Sequence, residues 1–249
     1  MAWLGMSGGM HQAASTPGSH SAPGLCSARF HPDQPYTSDV TSSQAVHAII
    51  PLSLLEAMRN LDTPIDDGLA ELAHEMVSKR LGLSSTVATQ IERYRSQAER
   101  QGSVSMDEAV SVFRLVSRRE DAQLVFADAG RRTARLAARS APTWVRTLLK
   151  AGPRMLRQRM GIRAAARVAA RVLDAEVSPQ GGGLAEACLT ESIASRASAT
   201  GPGCYYYGAA FAELLRLLSG FEGAMLHERC RAKGDPDCTW RSTTVEGYE

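Results

Sequence analysis

The sequence predicts an α+β fold in which helices pack on a small antiparallel sheet. Three observations predict it. Apolar residues recur at helical spacing from Val46 to about residue 170. The pattern then shortens into two strand-like segments, "ARVLDAEVS" and "GLAEACLTES", joined by "PQGGG". A further helix, "CYYYGAAFAELLRLLSG", is followed by a closing hairpin, "FEGAMLHERCRA" and "DCTWRSTTV", around a "KGDP" turn.

Composition sets outer bounds. A chain of 249 residues can bury a sizeable core, and 44% hydrophobic with 22% charged residues is ordinary for a globular domain. A net charge of +2 gives no strong global field for nucleic acid. No run approaches the roughly 18 apolar residues of a membrane span. Roughly residues 1–45 are rich in Gly, Ser, Pro and His, lack periodicity, and read as a disordered tail. They lack the basic start and apolar stretch of a signal peptide, so the expected compartment is the cytoplasm, where thiols stay reduced. Residues 46–249 are then one domain, mainly helical over 46–170 and hairpin-helix-hairpin over 171–249.

Taken in order, "VHAIIPLSLLEAMRNL" is helical, with a proline that a first turn permits. "DTPIDDGLAELAHEMVSKRLG" reads as a helix capped by Asp62 or Thr63, with Pro64 in its first turn and Gly82 at its end. "SSTVATQIERYRSQAERQG" is helical. "SMDEAVSVFRLVSRREDAQLVFADAGRRTARLAARS" carries one or two helices, with Val110, Phe113, Leu115, Val116, Leu124 and Val125 as an apolar stripe. Between Ala129 and Leu173 there is no Asp or Glu but there are twelve Arg or Lys, so this stretch is basic amphipathic helix, broken near Pro142 and Gly152-Pro153. It is either a solvated face or a cationic surface for an anionic ligand, a lipid headgroup at the membrane periphery, or a partner. No helix-turn-helix or zinc-finger spacing accompanies it, so nucleic acid is not an expected partner. The final helix places Phe211, Leu214, Leu215 and Leu218 on one face and ends at Gly220.

Two of five cysteines, Cys230 and Cys238, flank the last turn in "HERCRAKGDPDC". They are a disulfide, buried thiols, or part of a metal site, and a reducing compartment disfavours the first. Cys204 opens the preceding helix, where the N-terminal amides favour a thiolate. With His227, these three make a Cys₃His set of the kind that holds zinc tetrahedrally. Residues i and i+3 of a regular strand face opposite sides, so His227 joins only if the strand bulges, and Glu228 competes as fourth ligand. Other chemistry has little support. There is no G-x-G-x-x-G, "QGGGLAE" is a hairpin turn, and no cysteine spacing suits an iron–sulfur cluster. "HEMVS" lacks the second histidine of a metalloprotease helix.

The run from Cys204 to Cys238 resembles the end of the 4-vinyl reductase domain family. The matching residues are Cys204, Gly220, Cys230, Gly234, Asp235 and Cys238, with Trp240 near the family's aromatic position and His227 where the family has glutamate. The Arg-rich helical run resembles, by composition, the bacteriochlorophyll 4-vinyl reductase-type members. The resemblance implies a fold similar to the small α+β subunits of TRAPP tethering complexes, a structural zinc on Cys204, Cys230, Cys238 and His227 or Glu228, and a hydrophobic ligand. A tetrapyrrole precursor of bacteriochlorophyll follows from it, with Arg131, Arg135 and Arg139 meeting carboxylates and Trp144, Tyr205, Tyr206 and Tyr207 as candidates to line a pocket between sheet and helices. A homodimer or a pigment-biosynthesis enzyme is the partner it suggests. The sequence favours binding over catalysis, because vinyl reduction needs an electron source and no redox-cofactor motif is present. Two alternatives stay open: a sensing or interaction module for another hydrophobic ligand, and a reductase with an external donor.

Overall fold

The computed structural model describes residues 45–63, 81–140, 153–198 and 202–244. The expected tail, the capped helix after Thr63, and Trp144 lie outside these residues. Among the described residues the fold is α+β, with seven α-helices and two antiparallel sheets.

A short strand β1 (Ala45–His47) pairs with β2 (Ser103–Ser105), with Val46 opposite Val104. Between them run α1 (Ile49–Asp62) and α2 (Ser85–Glu99). Helix α1 is apolar nearly all round, and Ile50, Leu54, Ala57 and Met58 are fully buried, as befits a central helix. Helix α2 starts where the Ser84 side chain accepts the Val87 N–H, and α3 (Met106–Ser117) starts the same way at Ser105. Asp62 is the last residue of α1 rather than a cap for the next helix. Its carboxylate accepts the Gly82 N–H at 2.8 Å and pairs with Arg119 at 2.7 Å, tying the end of α1 to the α3 terminus.

Helix α4 spans Ala122–Arg139 and α5 spans Arg154–Val172. The expected apolar stripe holds at Val110, Phe113, Val116 and Val125, but Leu124 is 64% exposed and Leu115 only partly covered. The chain breaks between α3 and α4, which resets the helical phase, so a stripe extrapolated across Arg118–Asp121 points outward at Leu124.

After α5 come β3 (Glu176–Pro179), β4 (Ala185–Leu189), a five-residue helix α6 (Ile193–Ala197), α7 (Cys204–Ser219), β5 (Gly223–Arg229) and β6 (Cys238–Thr244). The four strands pair antiparallel in the order β3-β4-β6-β5. Of the segment expected as the first strand, "ARVL" instead completes α5, and Asp174 at φ 53° makes the turn into β3. Helix α7 closes at Gly220 with φ 69°.

Helix α7 is the keystone, packed on α4, on α5 and on the sheet. Gly130 lets α4 approach closely, since a Cβ there would lie 2.1 Å from the Tyr206 carbonyl oxygen. A chain of buried rings joins these layers. Phe126 meets Phe113 at 5.2 Å, Phe113 meets Tyr206 at 5.4 Å, and Tyr207 meets Trp240 of β6 at 5.8 Å.

Candidate metal centre

Four side chains converge where α7 begins and the β5–β6 hairpin turns. One ligand atom each from Cys204, His227, Cys230 and Cys238 lies within 4.8 Å of all the others. The three cysteines are buried free thiols and the histidine is exposed.

The backbone explains how they meet. Strands β5 and β6 are in register with His227 opposite Trp240, and the register then shifts between His227 and Arg229. That bulge supplies the extra residue, Glu228, that lets His227 and Cys230 turn to the same site. Glu228 itself pairs with Arg241 at 3.3 Å. Of the two candidates left open by sequence alone, it is therefore His227 that joins the three cysteines. Its ring stacks on Trp240 at 4.6 Å with 12° between planes, which fixes its orientation.

The turn from Cys230 to Cys238 is held from inside. Arg231–Lys233 form a single 3-10 turn, and Gly234 follows at φ 102°, a conformation that favours glycine. The Asp235 carboxylate accepts the Cys230 N–H at 2.7 Å, and the Arg231 N–H donates to Cys238 Sγ at 3.3 Å. Asp237 is buried and paired with Arg229 at 3.1 Å. These bonds hold the backbone of both hairpin cysteines in place.

The donor set fits a metal ion. A tetrahedral ion with metal–sulfur bonds of about 2.3 Å sets neighbouring sulfurs roughly 3.8 Å apart. Cys204 Sγ and Cys230 Sγ are separated by 3.8 Å. The electrostatics are those of a primed thiolate site. A hydrogen bond from Cys204 pulls the Cys238 thiol down to about 4, helped by His227 and the Arg231 N–H and opposed by burial. Cys204, as the donor in that bond and itself buried, is pushed up. Ionised thiolates this close repel one another, and a divalent cation held by the set would supply the compensating charge.

An open groove of about 650 Å³ adjoins the centre. Cys204, His227 and Cys230 line it together with Tyr205, Gly208, Met225, Leu226, Trp240, Lys233, and Gln123 and Ala127 of α4. Tyr205 and Leu226 are about half exposed at its rim, at 51% and 54%. The groove thus lies between α4, α7 and the β5–β6 edge of the sheet, while the seam where α5 and α7 cover the sheet is filled. Ala165, Ala169, Val177, Ala187, Phe211, Leu214 and Leu215 leave there no space for a water, and Met225 borders both this seam and the open groove.

The expected ligand residues fall apart spatially. Of the three tyrosines, Tyr206 is a core residue, fully buried with its hydroxyl donating to Thr133 Oγ1 at 2.8 Å, Tyr207 is buried too, and Tyr205 is the one that lines the groove. A helix turns 100° per residue, which sends adjacent tyrosines to different surfaces. Arg131, Arg135 and Arg139 form one exposed stripe along α4. Arg135 is engaged by Glu213 at 2.8 Å, and Arg131 stands one turn beyond Ala127 of the groove. Trp240 and Met225 were not singled out for the groove from sequence. The alternation Cys238, Trp240 on one strand face was the signal that could have placed the tryptophan there.

No helix of the described residues is long and apolar enough to cross a membrane. Comparison with protein-family models, with curated proteins and with solved structures finds no match to this chain.

Proposed function

We propose that this protein is a zinc-pinned domain of the 4-vinyl reductase type that binds a hydrophobic small molecule, a divinyl chlorophyllide precursor, as an accessory or carrier of bacteriochlorophyll synthesis. One juxtaposition carries the reading. Cys204, His227 and Cys230 of the metal centre are also walls of the 650 Å³ groove, a size within the roughly 300–1,000 Å³ of small-molecule sites. Zinc suits three thiolates and an imidazole better than oxygen-seeking ions do. Bound there, it joins the start of α7 to both ends of the hairpin turn, and four protein ligands make its role structural.

The groove has the character a flat apolar acid requires. Tyr205, Met225 and Leu226 offer apolar and aromatic surface, with Trp240 buried beneath them, and Lys233 offers a cation for a carboxylate. Arg131 extends the cationic side along α4. The second reading is a sensing or interaction module for a different apolar ligand, favoured by the half-exposed Tyr205 and Leu226 at the rim. Vinyl reduction, as a third, requires an external electron donor.

Titration of purified, metal-loaded protein with divinyl protochlorophyllide, followed by absorbance and fluorescence, tests the reading. Saturation near one pigment per chain at micromolar affinity or better is expected. Gly208→Leu, which grows a side chain over Trp240 into the groove, should weaken it at least tenfold while retaining metal. Absence of saturable binding by folded, metal-loaded protein rejects the pigment and leaves the sensing module.

A further inference from the structure

A second open cleft lies between the first turns of α5 and the β3–β4 turn. Its volume is about 420 Å³, and it is lined by Gln158, Arg159, Ile162, Arg163 and the turn residues 179–183. Its charge is unbalanced. Several other arginines of this protein are matched to carboxylates: Arg132 to Asp128, Arg135 and Arg216 to Glu213, and Arg95 to Glu56 and Glu92. Arg159 and Arg163 stand one helical turn apart, exposed, and neither has an ion pair among the described residues. None can come from their own helix, because no Asp or Glu occurs between Ala129 and Leu173. The facing wall, "PQGGG", is equally without acid.

The rest of the cleft is shaped to admit something. Gly181 and Gly182 face open space, with nothing within 4 Å of a would-be Cβ, and Gly182 and Gly183 hold φ 73° and 82°. The wall is therefore bare backbone, kept so by a turn that favours glycine. Exposed Pro179 and the aliphatic stems of Arg159 and Arg163 give the cleft apolar surface, Ile162 lies beneath them at 2% exposure, and the Gln158 carboxamide reaches to Gly183. Two unneutralised guanidiniums beside apolar surface match an anion with an apolar body, since a guanidinium fork pairs bidentately with phosphate or carboxylate oxygens.

We infer that this cleft binds the phosphate or carboxylate head of a small amphiphile, with the guanidiniums of Arg159 and Arg163 on the head and Pro179 and the arginine stems against the body. The site is independent of the metal centre and of its groove. The test is calorimetric titration of the full chain with dodecyl phosphate below its micelle concentration, beside Arg159→Gln/Arg163→Gln and the control Arg167→Gln, an exposed arginine of α5 outside the cleft. About one dodecyl phosphate per chain is expected, with affinity at least tenfold weaker in the double variant and unchanged in the control, and all three proteins melting alike. Flotation with phosphatidylcholine vesicles, with and without phosphatidic acid, separates the sources of the head. Retention on the acidic vesicles that the double variant loses assigns a lipid, and binding of the monomer without vesicle retention assigns a free amphiphile. Failure of dodecyl phosphate to saturate, or equal loss of binding in the control and the double variant, overturns the site, as does binding that the double variant keeps.

Discussion

His227 and Glu228 are neighbours with opposite assignments, and a single backbone irregularity separates them. The bulge in β5 gives the imidazole to the sulfurs and the carboxylate to Arg241. Glu228→Ala should leave metal content at the wild-type value and change stability by about 0–1 kcal/mol, the range of an exposed ion pair, as read by metal analysis and urea denaturation. His227→Ala should weaken metal retention against a competing chelator by at least tenfold. Regular strand alternation argues against pairing His227 with Cys230, and this is where the sequence misleads. The three cysteines were legible because each stands at an element end: a helix start and the two arms of a turn. The bulge was not, since it depends on how β5 and β6 register against each other.

At the scale of elements, α7 is held to α4 by shape and by charge. Gly130→Ala puts a Cβ 2.1 Å from the Tyr206 carbonyl oxygen, so the two helices must separate, at a cost of about 1–3 kcal/mol in urea denaturation. Glu213, buried on α7, is pulled to about 2 by hydrogen bonds from Arg216 and then Arg135, against the effect of burial. A depressed carboxyl stabilises the fold above its unfolded value near 4.5 and loses that stabilisation as pH falls toward 2. Glu213→Gln should therefore be less stable than wild type at pH 7, by on the order of 1–3 kcal/mol, with the gap closing between about pH 4.5 and 2. Denaturation curves at pH 7 and pH 3 read both parts. Helix α7 and the last hairpin were legible from periodicity and turn residues. The end of α5 was not, because "ARVL" has no glycine or proline to stop it and alternates well enough to pass for strand. Helix α6 escaped because five residues carry no period, although its signal was present in the reciprocal bonds of Ser192 and Ser195.

For the whole molecule, the metal centre connects parts distant in sequence. Cys204 belongs to the helix on which α4, α5 and the sheet all pack, while Cys230 and Cys238 close the hairpin that ends the sheet. The stack of His227 on Trp240 continues into the buried rings, so the centre is continuous with the core. The α+β class was readable from the order of periods, whereas the two grooves were not, since each is built from residues of separate elements. Because metal binding and folding are coupled, an ion bound there would contribute to global stability rather than to one loop. The most direct measurement is metal content by mass spectrometry together with melting temperature, for the wild type and for Cys230→Ser. The account predicts one zinc per wild-type chain, none in the variant, and a melting temperature lower by about 10 °C or more, at roughly 2–4 °C per kcal/mol for a chain of this size. A wild-type chain that folds without metal and melts at the same temperature as the variant would contradict it.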